Sequence, residues 1–345
     1  MENKRIMSPR NSGLDVLRVL TAVLITSIHY IGYSHVIEIG GGVNKVWLVA
    51  LYSLSRVAVG EYIITSGYFM AEKTMNFSKI VKLEAKVVFY SVLLGGVSLA
   101  VKFGEGTVSN IVRTFFPLMT DTYWFFTAYV LFCLFTPILN LILEKYTERT
   151  LKISLVIAWG IITVLLKANP FTSGINYMGT SRSVIWFAFL WLVGGTIKKY
   201  PIMVSKKVYA IIFVAAYIVI FVSYWMNINW PTNVLLYEDC SILPSLMTIS
   251  LFVLFKDIKI GTVISAKMSY LATLAFGVYL VQEHCLVREH YWKLFDANKM
   301  VESPRMILQF LMAVIIPFLV ASLMEFLFGV IWKKTCGLRS LRQIR

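Results

Sequence analysis

The sequence predicts an all-α membrane protein of about ten transmembrane helices, with both termini cytoplasmic. Three observations carry this expectation. The 345 residues are 58% hydrophobic with a mean hydropathy of +0.73, far above the usual range of soluble domains. Apolar runs recur at lengths of about 20 residues, enough for a helix to cross a bilayer. Lysine and arginine alternate in abundance from loop to loop, as they do when positive loops stay on the cytoplasmic side.

In order along the chain, the expected spans are roughly 14–35, 47–71, 80–101, 122–143, 151–168, 183–198, 207–226, 241–255, 268–288 and 305–332. The first is too long for a cleaved signal peptide and lacks a small-residue cleavage site, so it is expected to remain as a span. The second carries Arg56 and Glu61. The third opens on Lys79, Lys82 and Lys86, whose three- and four-residue spacing makes one basic helical face. The fourth begins with aromatic residues and contains Pro137, the ninth ends on Gln282, Glu283 and His284, and the tenth contains Glu325. The sixth and eighth are short. No repeat, low-complexity linker or soluble domain after the last span is expected, so residues 1–345 read as a single membrane domain.

With the N-terminus inside, the cytoplasmic loops and tails hold 22 of the 33 Lys and Arg and the outer loops hold 9, while Arg18 and Arg56 lie within spans. This basic inner face accounts for the net charge of +15 through anionic lipid headgroups, and it suits an anionic cosubstrate. No nucleic-acid motif is present. The four cysteines, Cys133, Cys240, Cys285 and Cys336, have no metal-binding spacing and read as structural; a Cys240–Cys285 disulfide near the outer surface is the alternative.

Charge inside a bilayer is costly, on the order of 3 kcal/mol per group, which makes Arg18, His29, Arg56, Glu61, Glu283, His284 and Glu325 the candidates for function. Eleven residues bring a helix back to within roughly 20° of its starting direction, so Arg18 and His29 share one face about 16 Å apart. They are expected to line one cavity, with His29 shallow from the outer side and Arg18 deep. Depth also pairs Arg18 with Glu61, and Arg56 with the neighbourhood of His29. Against these stand plainer readings: Arg18 and Glu325 snorkel to headgroups, Glu61 is an inert ion-pair partner, and Lys79, Lys82 and Lys86 form an ordinary positive flank.

The Arg18/His29 spacing within the first span resembles the signature of the acyltransferase-3 family of integral-membrane enzymes. Ser66-Gly67-Tyr68-Phe69 at the end of the second span is similar to that family's Ser-Gly-Tyr/Phe sequence. Tyr123-Trp124-Phe125-Phe126, followed by Pro137-Ile138-Leu139-Asn140, resembles its aromatic start and Pro-x-x-Asn ending of a central span. The segment Phe276–His284 resembles a late family segment that usually ends in histidine; here Gln282 takes that place, and His284 is two residues further on.

The resemblance implies transfer of an acyl group, usually acetyl from acetyl-CoA, onto a carbohydrate hydroxyl. A hydroxyl must lose its proton as it attacks a thioester, which suits His29 as general base. Arg56 is expected to stabilise the developing oxyanion. Arg18, with Ser66, Gly67, Tyr68 and the three lysines, is expected to hold acetyl-CoA as a cosubstrate. Glu61, Tyr123, Trp124, Gln282 and His284 are expected to tune or support the site. The acceptor is expected to be a surface polysaccharide or its lipid-linked precursor, acylated directly at the outer mouth or through a separate protein. A transporter or flippase of an envelope glycan intermediate is the competing class, although no paired broken helices or internal symmetry are evident in the hydropathy.

Overall fold

The computed structural model describes residues 11–36, 42–74, 76–103, 106–165, 182–228 and 238–342. Residues 166–168 of the fifth expected span, most of the basic N-terminal tail and residues 343–345 lie outside the described residues. A helix lies at each of the expected spans, and no strand occurs among the described residues.

Helix α1 (Ser12–Gly32) starts on Asn11, whose side chain accepts from the Leu14 amide at 3.1 Å and donates to the Lys256 carbonyl at 2.6 Å. One side chain thus caps α1 and ties its start to the far end of a later helix. The second expected span is broken into α2 (Lys45–Ser55) and α3 (Ala58–Met70), with Arg56 and Val57 in the turn between them. Ser53 and Ser55 donate to the carbonyls of Val49 and Leu51, a back-bonding pattern that bends helices. There follow α4 (Phe77–Ala100), α5 (Val108–Phe115), α6 (Trp124–Lys145), and α7 (Glu148–Gly160) continued by a π turn. The remaining helices are α8 (Val184–Lys199), α9 (Lys206–Trp225), α10 (Ile242–Phe255), α11 (Thr262–Glu283), α12 (Arg288–Leu294) and α13 (Met306–Arg342).

Six of the helices are long and apolar enough to cross a membrane: α1, the α2–α3 pair, α6, α9, α11 and α13 as far as Thr335. The other four expected spans are helical but fall short by composition or length. Helix α4 carries Lys79, Lys82, Glu84 and Lys86 in its first three turns, α8 and α10 have 16 and 14 residues, and α7 has 13 before its π turn. The short helices α5 and α12 lie in stretches read from the sequence as loops. The ninth span stops at Glu283 rather than 288, because the chain turns to extended backbone at His284.

Helix α1 packs against α11, α2, α3 and α10, while α3 lies close against α8. That second contact is set by glycine. A Cβ on Gly67 would stand 2.1 Å from the Trp191 carbonyl oxygen, and one on Gly194 would stand 2.2 Å from that of Ile64. Around this seam Trp186, Phe187, Leu190, Trp191 and Phe132 form a buried aromatic core. A second core, with Tyr30, Leu48, Trp292 and Phe310, closes the His29 end of α1 against α12 and α13.

Candidate active site

Helices α1, α3, α4, α6 and α11 enclose a cavity of about 1230 Å³, lined by His29, Tyr33, Arg56, Trp124, Glu283 and Arg288 toward the His29 end. Deeper in, its walls are Tyr62, Ser66, Leu83, Lys86 and Tyr129. Ser66 lies four residues from the end of α3 and Leu83 six from the start of α4, distances of about 6 and 9 Å along the helix axes. The cavity therefore runs through most of the depth of the helical bundle.

His29 is held at both ring nitrogens. Nδ1 is 3.2 Å from Gln282 Oε1, and the Gln282 amide nitrogen donates to Thr26 Oγ1 at 2.8 Å. With the amide so oriented, Nδ1–H donates to Gln282 and Nε2 carries the lone pair. Nε2 faces Glu283, 3.5 Å from Oε1. Tyr33 donates to that same oxygen at 2.9 Å, and Arg288 reaches the other at 3.6 Å. Tyr33 and Trp292 stack on each other and both rings flank the imidazole at 5.7 Å. The imidazole thus lies at the cavity wall with the Glu283 carboxylate beside Nε2.

Gln282, which stands where the family usually has histidine, is thus the hydrogen-bond partner of His29. His284 is not a substitute for it. Its Nδ1 accepts from the Leu286 amide at 3.2 Å and its Nε2 donates to the Ser91 carbonyl at 3.1 Å, so backbone groups occupy both nitrogens. Glu283 stood among the ionisable candidates without a role, and Tyr33 and Arg288 were not singled out. Their convergence depends on α11 ending at Glu283, which no periodicity announces.

Arg56 lines the same cavity as expected, with its guanidinium 4.3 Å over the Tyr52 ring and 3.7 Å from Asp239. Its Nε is buried without a hydrogen-bond acceptor. Two other expectations need correction. Arg18 does not line the cavity: it lies beside Asp15 at 3.8 Å and beneath the Phe69 ring at 5.1 Å, with its side chain one-third exposed. It does not pair with Glu61, whose two carboxyl oxygens are buried without partners. Depth along antiparallel helices gives height but not azimuth, and the two side chains leave their helices in different directions.

The other residues expected to hold the donor divide between the cavity and the packing around it. Gly67 serves the α3–α8 contact, and Tyr68 packs on Phe252 with Lys198 over its ring. Of that motif only Ser66 lines the cavity, its hydroxyl donating to the Tyr62 carbonyl at 2.8 Å. Lys86 lines the cavity too but pairs with Glu325 at 2.8 Å, so Glu325 does not snorkel. Lys82 sits over Trp332, and Lys79 is exposed at the start of α4. Tyr123 is fully buried against Tyr279, whereas Trp124 reaches the cavity under the Arg182 guanidinium. Cys240 and Cys285 are not joined in a disulfide.

No curated protein and no solved structure matches the chain. A family model described as an acyltransferase domain matches residues 11–330, from the cap of α1 to the last span, and so contains the His29 cavity whole. The chain therefore belongs to the acyltransferase-3 family and is a multi-pass membrane acyltransferase.

Proposed function

We propose that the protein is an O-acetyltransferase of the cell membrane that moves acetyl from cytoplasmic acetyl-CoA to a hydroxyl of a surface polysaccharide or its lipid-linked precursor. The observation that carries this is His29, whose imidazole lines a deep cavity with Glu283 Oε1 3.5 Å from Nε2. In the proposed reaction the acceptor oxygen attacks the thioester carbonyl carbon while its proton passes to His29 Nε2. The tetrahedral adduct collapses with cleavage of the C–S bond, and the departing thiolate recovers the proton from the imidazolium. Glu283 stabilises the imidazolium between these two transfers, and a donor such as Arg56 Nε–H suits the transient oxyanion.

The depth of the cavity supports a donor and an acceptor that enter from opposite ends. Leu83 and Ser66 bring it close to the end of the bundle at which Arg18, Lys79 and Lys82 present cationic groups to solvent, which suits the phosphates of coenzyme A. At the other end, Tyr33 and Trp124 line the cavity with aromatic rings of the kind on which sugar rings pack. The reading takes that end as the outer surface, in keeping with the partition of Lys and Arg.

Purified protein in lipid, given acetyl-CoA labelled in the acetyl group and a glycan acceptor, is expected to release free coenzyme A and place the label on the glycan. Ester-linked acetyl on the surface glycans of cells that carry the protein, absent from cells that lack it, is the matching result by mass spectrometry. Coenzyme A release that never depends on acceptor, with unmodified glycans, would exclude the reading.

A further inference from the structure

Helix α5 is about 12 Å long, too short to cross a bilayer. Val108, Ile111, Val112 and Phe115 recur on one side of it, and Phe116 and Met119 follow; all six are exposed, Val108 by 78% and Met119 by 85%. The opposite side faces the protein, with Thr114 against Gly95 of α4 and Arg113 lining the cavity. A short helix with an apolar outer stripe, attached to a set of membrane-spanning helices, lies in the interface with that stripe among lipid chains. One wall of the cavity mouth is therefore also a lipid contact.

The charge at this mouth supplies a second, independent observation. Four arginines line it: Arg56, Arg113, Arg182 and Arg288. Arg56 is paired with Asp239 and Arg288 with Glu283. Asp121 and Glu238 also line the mouth, yet no carboxylate among the described residues makes an ion pair with Arg113 or Arg182. Arg113 Nε is buried without a hydrogen-bond acceptor, and Arg182 rests on the Trp124 ring. Two unpaired guanidinium groups in one cavity, beside a helix that faces lipid, match a ligand with an anionic head and an apolar tail.

We propose that the cavity mouth is a binding site for a lipid-linked glycan, with its phosphate or diphosphate held by Arg113 and Arg182 and its hydrocarbon chain lying along the apolar side of α5. The acceptor then enters sideways from the membrane, and its sugar reaches His29 while the phosphate stays at the rim. This narrows the acceptor of the O-acetyltransferase reading, on which the role of the sugar end rests, to the lipid-linked precursor.

Binding without chemistry tests the site. Farnesyl diphosphate, inorganic diphosphate and coenzyme A are titrated against the detergent-solubilised full chain, its Arg113→Gln/Arg182→Gln variant and its Arg113→Lys variant. Each charge-assisted phosphate contact is worth about tenfold or more in affinity. Farnesyl diphosphate is expected to bind the parent more tightly than inorganic diphosphate. The double variant is expected to lose at least about tenfold of that affinity, with Arg113→Lys falling between the two.

Retained binding of coenzyme A shows that the double variant is folded. Equal affinity for inorganic diphosphate would make this a site for soluble phosphate, loss of coenzyme A affinity alone would make it part of the donor site, and unchanged farnesyl diphosphate affinity would remove the two arginines from it. Any of the three overturns the proposal. No acyl transfer is measured, so these outcomes leave the O-acetyltransferase reading standing or falling on its own test.

Discussion

At the scale of single residues, the site turns on what surrounds one imidazole. Gln282 hydrogen-bonds Nδ1, and Glu283 places a carboxylate beside Nε2, where the proposed reaction holds a proton in transit. Replacing Glu283 with Gln keeps the size and the hydrogen bond from Tyr33 but removes the charge. A hydrogen bond to a charged partner contributes about 1.5–3 kcal/mol, so kcat is expected to fall about 10–100-fold with little change in the Michaelis constant for acetyl-CoA. A raised donor Michaelis constant with unchanged kcat would place Glu283 in donor binding instead.

The identity of His29 as a candidate was legible from its register with Arg18 and from the surrounding family pattern. Its partners were legible only in part. Gln282 falls at a position that the resemblance marks, whereas Glu283, Tyr33 and Arg288 meet His29 because α11 ends where it does and α12 folds back over the mouth. Arg18 and Glu61 show the converse. Their depths agreed, but the Phe69 ring lies over Arg18 and the Glu61 carboxyl is enclosed elsewhere.

At the scale of elements, the contact between α3 and α8 positions the deep wall of the cavity. Ser66 and Tyr62 face the cavity from α3 while Gly67, next in sequence, turns to α8. The Ser-Gly-Tyr motif is therefore a packing device with one cavity-facing residue, a division of labour hidden in the sequence because glycine signals close approach without saying to what. Gly67→Ala would force a methyl group onto the Trp191 carbonyl at 2.1 Å, and strain of this kind costs about 1–3 kcal/mol. A lowered thermal midpoint of the detergent-solubilised protein is the expected result, and an unchanged midpoint would show that the helices are not in this contact.

The same scale explains where the expected spans and the observed helices differ. A helix lies at each stretch that hydropathy marks, six of them among the described residues being long and apolar enough to cross a membrane, because a 3.6-residue helix buried in lipid or in other helices reads as a continuous apolar run. Hydropathy missed the break at Arg56, which local hydroxyl groups introduce, and it missed α5, whose apolar residues are too few for a span yet correctly spaced for an interfacial helix. The basic face of α4 was legible as a face, but its lowest turns look toward α13, where Lys86 meets Glu325 and Lys82 meets Trp332.

For the molecule as a whole, the proposed reaction brings a donor from one side of the membrane to an acceptor at the other through a single cavity, with His29 where the two meet. The most direct measurement uses proteoliposomes of one orientation, with labelled acetyl-CoA on the Arg18 side and a glycan acceptor on the His29 side. The parent protein should carry label to the acceptor, and folded, inserted His29→Ala should lose about 10²–10⁴ of that rate, the amount a general base supplies. His29→Ala protein that keeps more than about a tenth of parental transfer would contradict the account, because the hydroxyl proton would then have gone to another group.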